Sequence, residues 1–205
     1  MQPFFPNLAF AILFVSVLAI ALAYAAWIDW TTMKVPKWLT IGMLAVGLLL
    51  NVVRGTWMAA EGVNGWLPSG GMPALGAVDG LLFSLSGFAV GFTLFFLLWI
   101  FGVAGGGDVK LAAGIGAWLG AIWILGSVVL ALPFLMLIAV ASLGYRMLGG
   151  RLPKSFATTT LPGHPQSRRG LMGYALPLGL GTYLVLFALL KGYLDYLNGV
   201  AATSG

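Results

Sequence analysis

Leu8-Ala-Phe-Ala-Ile-Leu-Phe-Val-Ser-Val-Leu-Ala-Ile-Ala-Leu-Ala-Tyr-Ala-Ala-Trp-Ile28 runs without a charge up to Asp29, and its reading decides the fold. A helix of about 20 mainly apolar residues crosses the hydrocarbon core of a bilayer, so this stretch is long enough to span. Four further stretches read the same way: Trp38 to Val53, which is short, Leu75 to Phe101, Ser127 to Leu148, and Tyr174 to Leu190. Val109 to Ile124 is also apolar, and either crosses or forms a short hairpin with the span that follows, turning at Gly120 or Gly126. The expectation is an all-α integral membrane protein with six transmembrane helices, forming a single membrane-embedded domain over residues 1–205.

Composition agrees. The chain is 60% hydrophobic and 7% charged, with a mean hydropathy of +1.02. A soluble domain carries roughly a quarter charged residues, so a globular core is excluded. Net charge is +5, but the basic residues are sparse and interrupted by apolar spans, which argues against nucleic-acid binding. The absence of cysteine removes disulfide frameworks, thiolate zinc sites and cysteine nucleophiles together. Ala21-Leu-Ala23 resembles a signal cleavage site, yet Met1 to Asn7 lacks the Lys or Arg of a positive n-region, so a retained first helix is expected.

Orientation follows from the positive-inside rule. With the N-terminus outside, the internal loops hold Lys34, Lys37, Lys110, Arg146, Arg151, Lys154, Arg168 and Arg169, while the external segments hold Arg54 and Lys191. Eight against two places both termini on the non-cytoplasmic side, and Asp29 and Asp108 at the cytoplasmic boundary. Trp27, Trp30 and Trp38 flank the first internal loop as interfacial aromatics do. Gly87 with Gly91, and Gly116 with Gly120, have the small-xxx-small spacing of closely packed helices. Arg54 to Pro73 and Gly149 to Gly173, rich in Pro and Gly, read as loops.

Chemistry concentrates at two acids. Only five Asp and Glu occur in the chain, and an ionisable group at membrane depth is costly enough to be a functional-site candidate by default. Asp29 ends the first apolar run, where the helix dipole disfavours a carboxylate; its bland reading is a solvated loop residue. Asp108 follows Gly105, Gly106 and Gly107, and its bland reading is a plain helix N-cap. Together the two are more informative. Two carboxylates held close cannot both ionise comfortably, so they share a proton: one takes a proton from water while the other polarises a carbonyl. The glycine triplet removes side chains beside Asp108, giving an extended substrate backbone room to approach, and permits backbone angles closed to other residues. Lys110, two positions on, points roughly 200° away around a helix and reads as a snorkelling anchor.

Other motifs are weak. No Ser or Thr follows Lys110, so the glycine-rich stretch fails as a phosphate loop. His164 is a lone histidine without metal-binding companions, and no Gly-x-Ser-x-Gly elbow is present. Asp79, Glu61 and Asp195 read as external and solvated. No metal and no cofactor is expected, and the chain carries no signal of oligomeric state.

At these residues the chain resembles the type IV prepilin peptidases, membrane aspartyl proteases of the Gly-x-Gly-Asp kind, in their short form without a methyltransferase domain. The resemblance rests on Asp29-Trp-Thr-Thr-Met-Lys-Val35-Pro36-Lys37, where Lys37 stands in place of an Asn, and on Gly105-Gly106-Gly107-Asp108-Val109-Lys110 followed by Leu-Ala-Ala-Gly-Ile-Gly-Ala-Trp. Gly170 to Pro177, entering the last span, is family-like in a looser way. The resemblance implies a bacterial inner-membrane endopeptidase that removes the basic leader of a prepilin or pseudopilin on the cytoplasmic side. Asp29 and Asp108 are then the catalytic pair, with Gly105, Gly106, Gly107 and Lys110 as substrate-binding or loop-supporting positions. It further implies a pilin of the Flp/Tad kind or a similar pseudopilin as substrate, and membrane lipid as the surroundings. With 28 residues before Asp29 and no cysteine, peptidase activity alone is expected. The competing readings are a proton-coupled transporter, which would want acids spread through the membrane rather than at one boundary, and a non-catalytic pilus-assembly subunit.

Overall fold

A computed structural model of the chain describes residues 4–32, 36–147 and 174–204. The described residues form helices and no strand: α1 Leu8–Thr32, α2 Lys37–Ala60, α3 Pro73–Ile100, α4 Gly106–Met147 and α5 Ala175–Ser204. All five are long and apolar enough to cross a membrane. Backbone groups in lipid have no water to bond, so helices that satisfy their own amides are what an apolar chain of this length can form.

Glycines set the spacing between helices. α2 and α3 run antiparallel, with Gly55 against Gly76 and Gly80 against the Asn51 backbone. α3 and the start of α4 do the same, with Gly87 against Gly116 and Gly91 against Ala112. A Cβ at any of these contacts would collide with backbone, so the helices approach as closely as main chains allow. The small-residue spacings in the sequence thus mark bundle packing. α1 turns one stripe (Phe14, Leu18, Leu22 and Ala25) into the bundle, while Ile12, Leu13 and Ile20 face outward. The Tyr183 hydroxyl on α5 donates to the Ala19 carbonyl at 2.6 Å and ties α5 to α1.

α4 is where the sequence left alternatives. A straight helix of its 42 residues would reach about 63 Å, roughly twice the hydrocarbon thickness. Instead it breaks at Gly120, with φ 76° and ψ 172°, a conformation open in practice only to glycine. Of the two proposed turn positions, Gly120 is therefore the one used. Beyond it the chain runs back: Gly126 meets Val185, and Ser127 and Ala131 meet Gly181, so this arm is antiparallel to α5. The break strands carbonyls of the first arm, and other helices supply the donors. Asn51 Nδ2 reaches the carbonyls of Ala117 and Trp118 at 2.9 and 3.0 Å, and Ser84 Oγ reaches Ala117 at 2.7 Å.

Three expectations are corrected. α2 does not stop at Val53 but continues to Ala60, so Arg54 to Ala60 is helix and not loop. It closes with Gly62 at φ 76°, whose amide and that of Val63 bond back to Ala59 and Met58. Asp79, expected to be external and solvated, is buried against Gly65 and Leu67 of the connection between α2 and α3, and Arg54, expected in an external loop, is buried on α2 beside Phe4 and Phe83. Glu61 and Asp195 are exposed, as expected. Lys34, Arg151, Lys154, His164, Arg168, Arg169 and the proposed loop from Gly149 to Gly173 lie outside the described residues.

Candidate active site

α1 carries Asp29, half-buried, into its closing turn. The helix does not end there. Thr31 Oγ1 donates to the carbonyls of Trp27 and Ile28 at 3.0 and 3.2 Å, and Thr32 Oγ1 to that of Ile28 at 2.8 Å. α1 continues to Thr32 with these hydroxyls folded back on its own carbonyls, so Asp29 has a defined position on a helix rather than in a loop.

α4 carries Asp108 in its opening turn. The Gly105 carbonyl accepts from the amides of Asp108 and Val109 at 3.0 and 3.3 Å, which makes Gly105 the N-cap residue. Asp108 is therefore not the N-cap but the third helical residue, and its Oδ2 reaches back to accept from the Gly105 amide at 3.0 Å. This is one arm of a capping box. Asp108 is only 6% exposed. The backbone of Tyr174, just ahead of α5, supplies a second hydrogen bond to it, and Asp29 lies within charge–charge range. Two acids far apart in sequence thus lie at one end of the bundle, within electrostatic range of each other.

The glycine triplet behaves differently from expectation in one respect. The positive φ in this connection belongs to Gly102, at 72°, and not to Gly105, Gly106 or Gly107. Gly102 closes α3: its amide and that of Val103 bond back to Trp99 and Leu98. What the triplet contributes is space. Gly106 is exposed, and a Cβ there would find only Trp99 Nε1, at 3.8 Å. Lys110 is exposed while Asp108, Val109 and Leu111 are buried, so it points away from the acids.

Tyr174 is the participant that sequence reading missed. Its ring packs edge-on against buried Phe95, with centroids 6.0 Å apart. The signal was its place beside the Pro177 entry to the last span, but a backbone donor leaves no trace in residue type.

Residues 16–143 match the Type IV leader peptidase family, an interval that contains both acids and the glycine triplet. The chain belongs to this family. No match was found among curated proteins or among solved structures. Membership makes the chain a leader peptidase in general terms, a hydrolase whose substrate is of the prepilin type. Its apolar helices make it a multi-pass membrane protein. The matched interval ends before Tyr174, so α5 adds its contribution to Asp108 from outside that interval.

Proposed function

We propose that this leader peptidase is a membrane aspartyl endopeptidase in which Asp29 and Asp108 jointly activate water. The scissile bond would join the basic leader of a prepilin or pseudopilin to its apolar helix, at the cytoplasmic face. One observation carries the reading: acids from the closing turn of α1 and the opening turn of α4 interact through space at the same end of the bundle. A pair so placed holds one proton between its members. The ionised acid removes a proton from water as the water oxygen attacks the peptide carbonyl, and the protonated acid donates to the carbonyl oxygen. As the C–N bond of the tetrahedral diol breaks, the proton taken from water goes to the leaving amine and the other acid takes its proton back from a diol hydroxyl, which restores the starting state. Cleavage accordingly falls on both sides of the pH window in which the pair holds a single proton.

The same reading gives six crossings in one domain, with the two arms of α4 counted separately. Both termini lie outside the cytoplasm of a bacterial cell, with the protein in its inner membrane. It rests on the eight-to-two distribution of basic residues and on the reversal at Gly120. The substrate junction, unwound, lies along Gly105 to Gly107, where no side chain obstructs it. A pilin of the Flp/Tad kind or a related pseudopilin is the substrate class.

Co-expression with a prepilin tests the proposal, with the leader followed by mass. The wild type shortens the substrate, and Asp29→Asn and Asp108→Asn each abolish shortening while membrane levels stay unchanged. Full cleavage by either variant would remove that residue from the pair. A proton-linked flux lost in both variants, with the leader untouched in the wild type, would identify a transporter instead.

A further inference from the structure

The opposite end of the bundle holds a second site with different chemistry. Asp79 lies in the second turn of α3 and Asp108 follows that helix's close, roughly 30 Å away at 1.5 Å per residue. Arg54 projects from α2 at that far end and is 6% exposed. Its guanidinium carbon lies 4.3 and 4.2 Å from the ring centroids of Phe4 and Phe83, in the corner formed by two rings set edge to face with centroids 5.9 Å apart. The rings attract the cation but offer its N–H groups no oxygen acceptor. Nε has no hydrogen-bond partner. Asp79, also buried, attracts Arg54 through space. Its Oδ1 accepts from the Leu67 amide at 2.9 Å, and Gly65 packs on the carboxylate.

These two charges share the wall of a cavity of about 320 Å³, with Phe4, Phe83, Trp66 and Trp123 among its other lining residues. A buried cation and a buried anion, neither with a charged group in direct contact among the described residues, are costly to maintain. The planar N–H fork of arginine matches a phosphate, and a carboxylate suits an ammonium. The volume is at the low end for small-molecule sites, enough for a polar head group and too little for acyl chains. Exposed Trp57 and Trp66 mark this level as a membrane–water interface.

We propose that the cavity binds the head group of a zwitterionic phospholipid with a primary amine, its phosphodiester on the Arg54 N–H groups and its ammonium on Asp79. The proposal is independent of the proteolytic reading, since neither residue approaches Asp29 or Asp108. Native mass spectrometry of the purified full chain tests it, using titrations with phosphatidylethanolamine, phosphatidylcholine and phosphatidylglycerol. The expected order puts phosphatidylethanolamine first, because the choline lipid lacks N–H donors and the glycerol lipid lacks a cation. Arg54→Gln weakens the ethanolamine and glycerol lipids alike, by about tenfold, whereas Asp79→Asn weakens only the ethanolamine lipid. Equal affinity of the wild type for all three lipids, or unchanged ethanolamine-lipid binding in either variant, overturns the proposal. Free phosphoethanolamine competing at the same concentration as the lipid overturns the lipid assignment. Should a variant fail to fold, the wild type alone decides: its melting temperature rises when phosphatidylethanolamine replaces phosphatidylcholine in the vesicles, and no rise refutes the site.

Discussion

Asn51 on α2 donates its side-chain amide to the Trp118 carbonyl at 3.0 Å, while the Trp118 indole donates to the Met43 carbonyl of α2 at 2.7 Å. The two helices are thus cross-linked in both directions next to the Gly120 break. Asn51 also bonds Ala117 and Gly47, so one fully buried side chain serves three carbonyls. In a bilayer those carbonyls have no water to turn to. Asn51→Leu is therefore expected to destabilise the protein by about 2 kcal/mol, summing modest membrane hydrogen bonds and the unsatisfied groups left behind. Thermal unfolding in detergent checks this, and a melting temperature equal to that of the wild type would refute the capping role.

Gly120 is blocked to other residues for two separate reasons. Its backbone angles are those of glycine, and a Cβ there would overlap the Phe83 ring. Gly120→Ala should cost about 3 kcal/mol from strain and crowding together. Gly126→Ala, with only a Val185 methyl at 3.8 Å, should be neutral or slightly stabilising, since alanine is the better helix former. Melting temperatures of the two variants distinguish the positions: equal effects would mean that the break does not depend on Gly120.

The sequence reading succeeded where one residue type forces one outcome, and failed where partners decide. Long apolar runs have few alternatives to membrane helices, so the helices were legible, although α2 extends past the short run that marked it. Asp29 and Asp108 stood out because acids are rare here and each lies at the end of a long apolar run. Arg54 misled. A charge at the end of an apolar run reads as the start of solvent, and nothing local announces that Phe4, Phe83 and Asp79 enclose it. Gly120 and Gly126 could not be separated, because both lie in equally apolar surroundings and only the ring of Phe83 and the donors of Asn51 and Ser84 fix the break. Asp108 as third helical residue rather than N-cap was hidden by three consecutive glycines, any of which can serve as the cap.

Tyr174 contributes to Asp108 through its backbone, which predicts an unusual mutational pattern. Tyr174→Phe keeps both the amide and the edge-on contact with Phe95, so leader cleavage should stay within about twofold of wild type. Tyr174→Pro removes the N–H and should lower cleavage about tenfold, the effect of one hydrogen bond to a charged group. The measurement is the cleavage rate of a purified prepilin in detergent. Loss of activity in Tyr174→Phe, with activity retained in Tyr174→Pro, would transfer the role from backbone to phenol.

Gly106 and Lys110 separate access from charge at the proposed site. Gly106 is exposed in the first turn of α4, with open space around it apart from the Trp99 edge. A leucine there should fold as well as glycine or better, because it improves helix propensity. Its side chain would nonetheless stand where the substrate backbone has to lie beside Asp108. Gly106→Leu is thus expected to keep the wild-type melting temperature while cleaving at least about tenfold more slowly, with the loss mainly in KM. Lys110→Ala, altering an exposed residue on the far side of the helix, should cleave within about twofold of wild type. Wild-type cleavage by Gly106→Leu would mean that the scissile segment reaches the acids by a route that avoids the glycine turn.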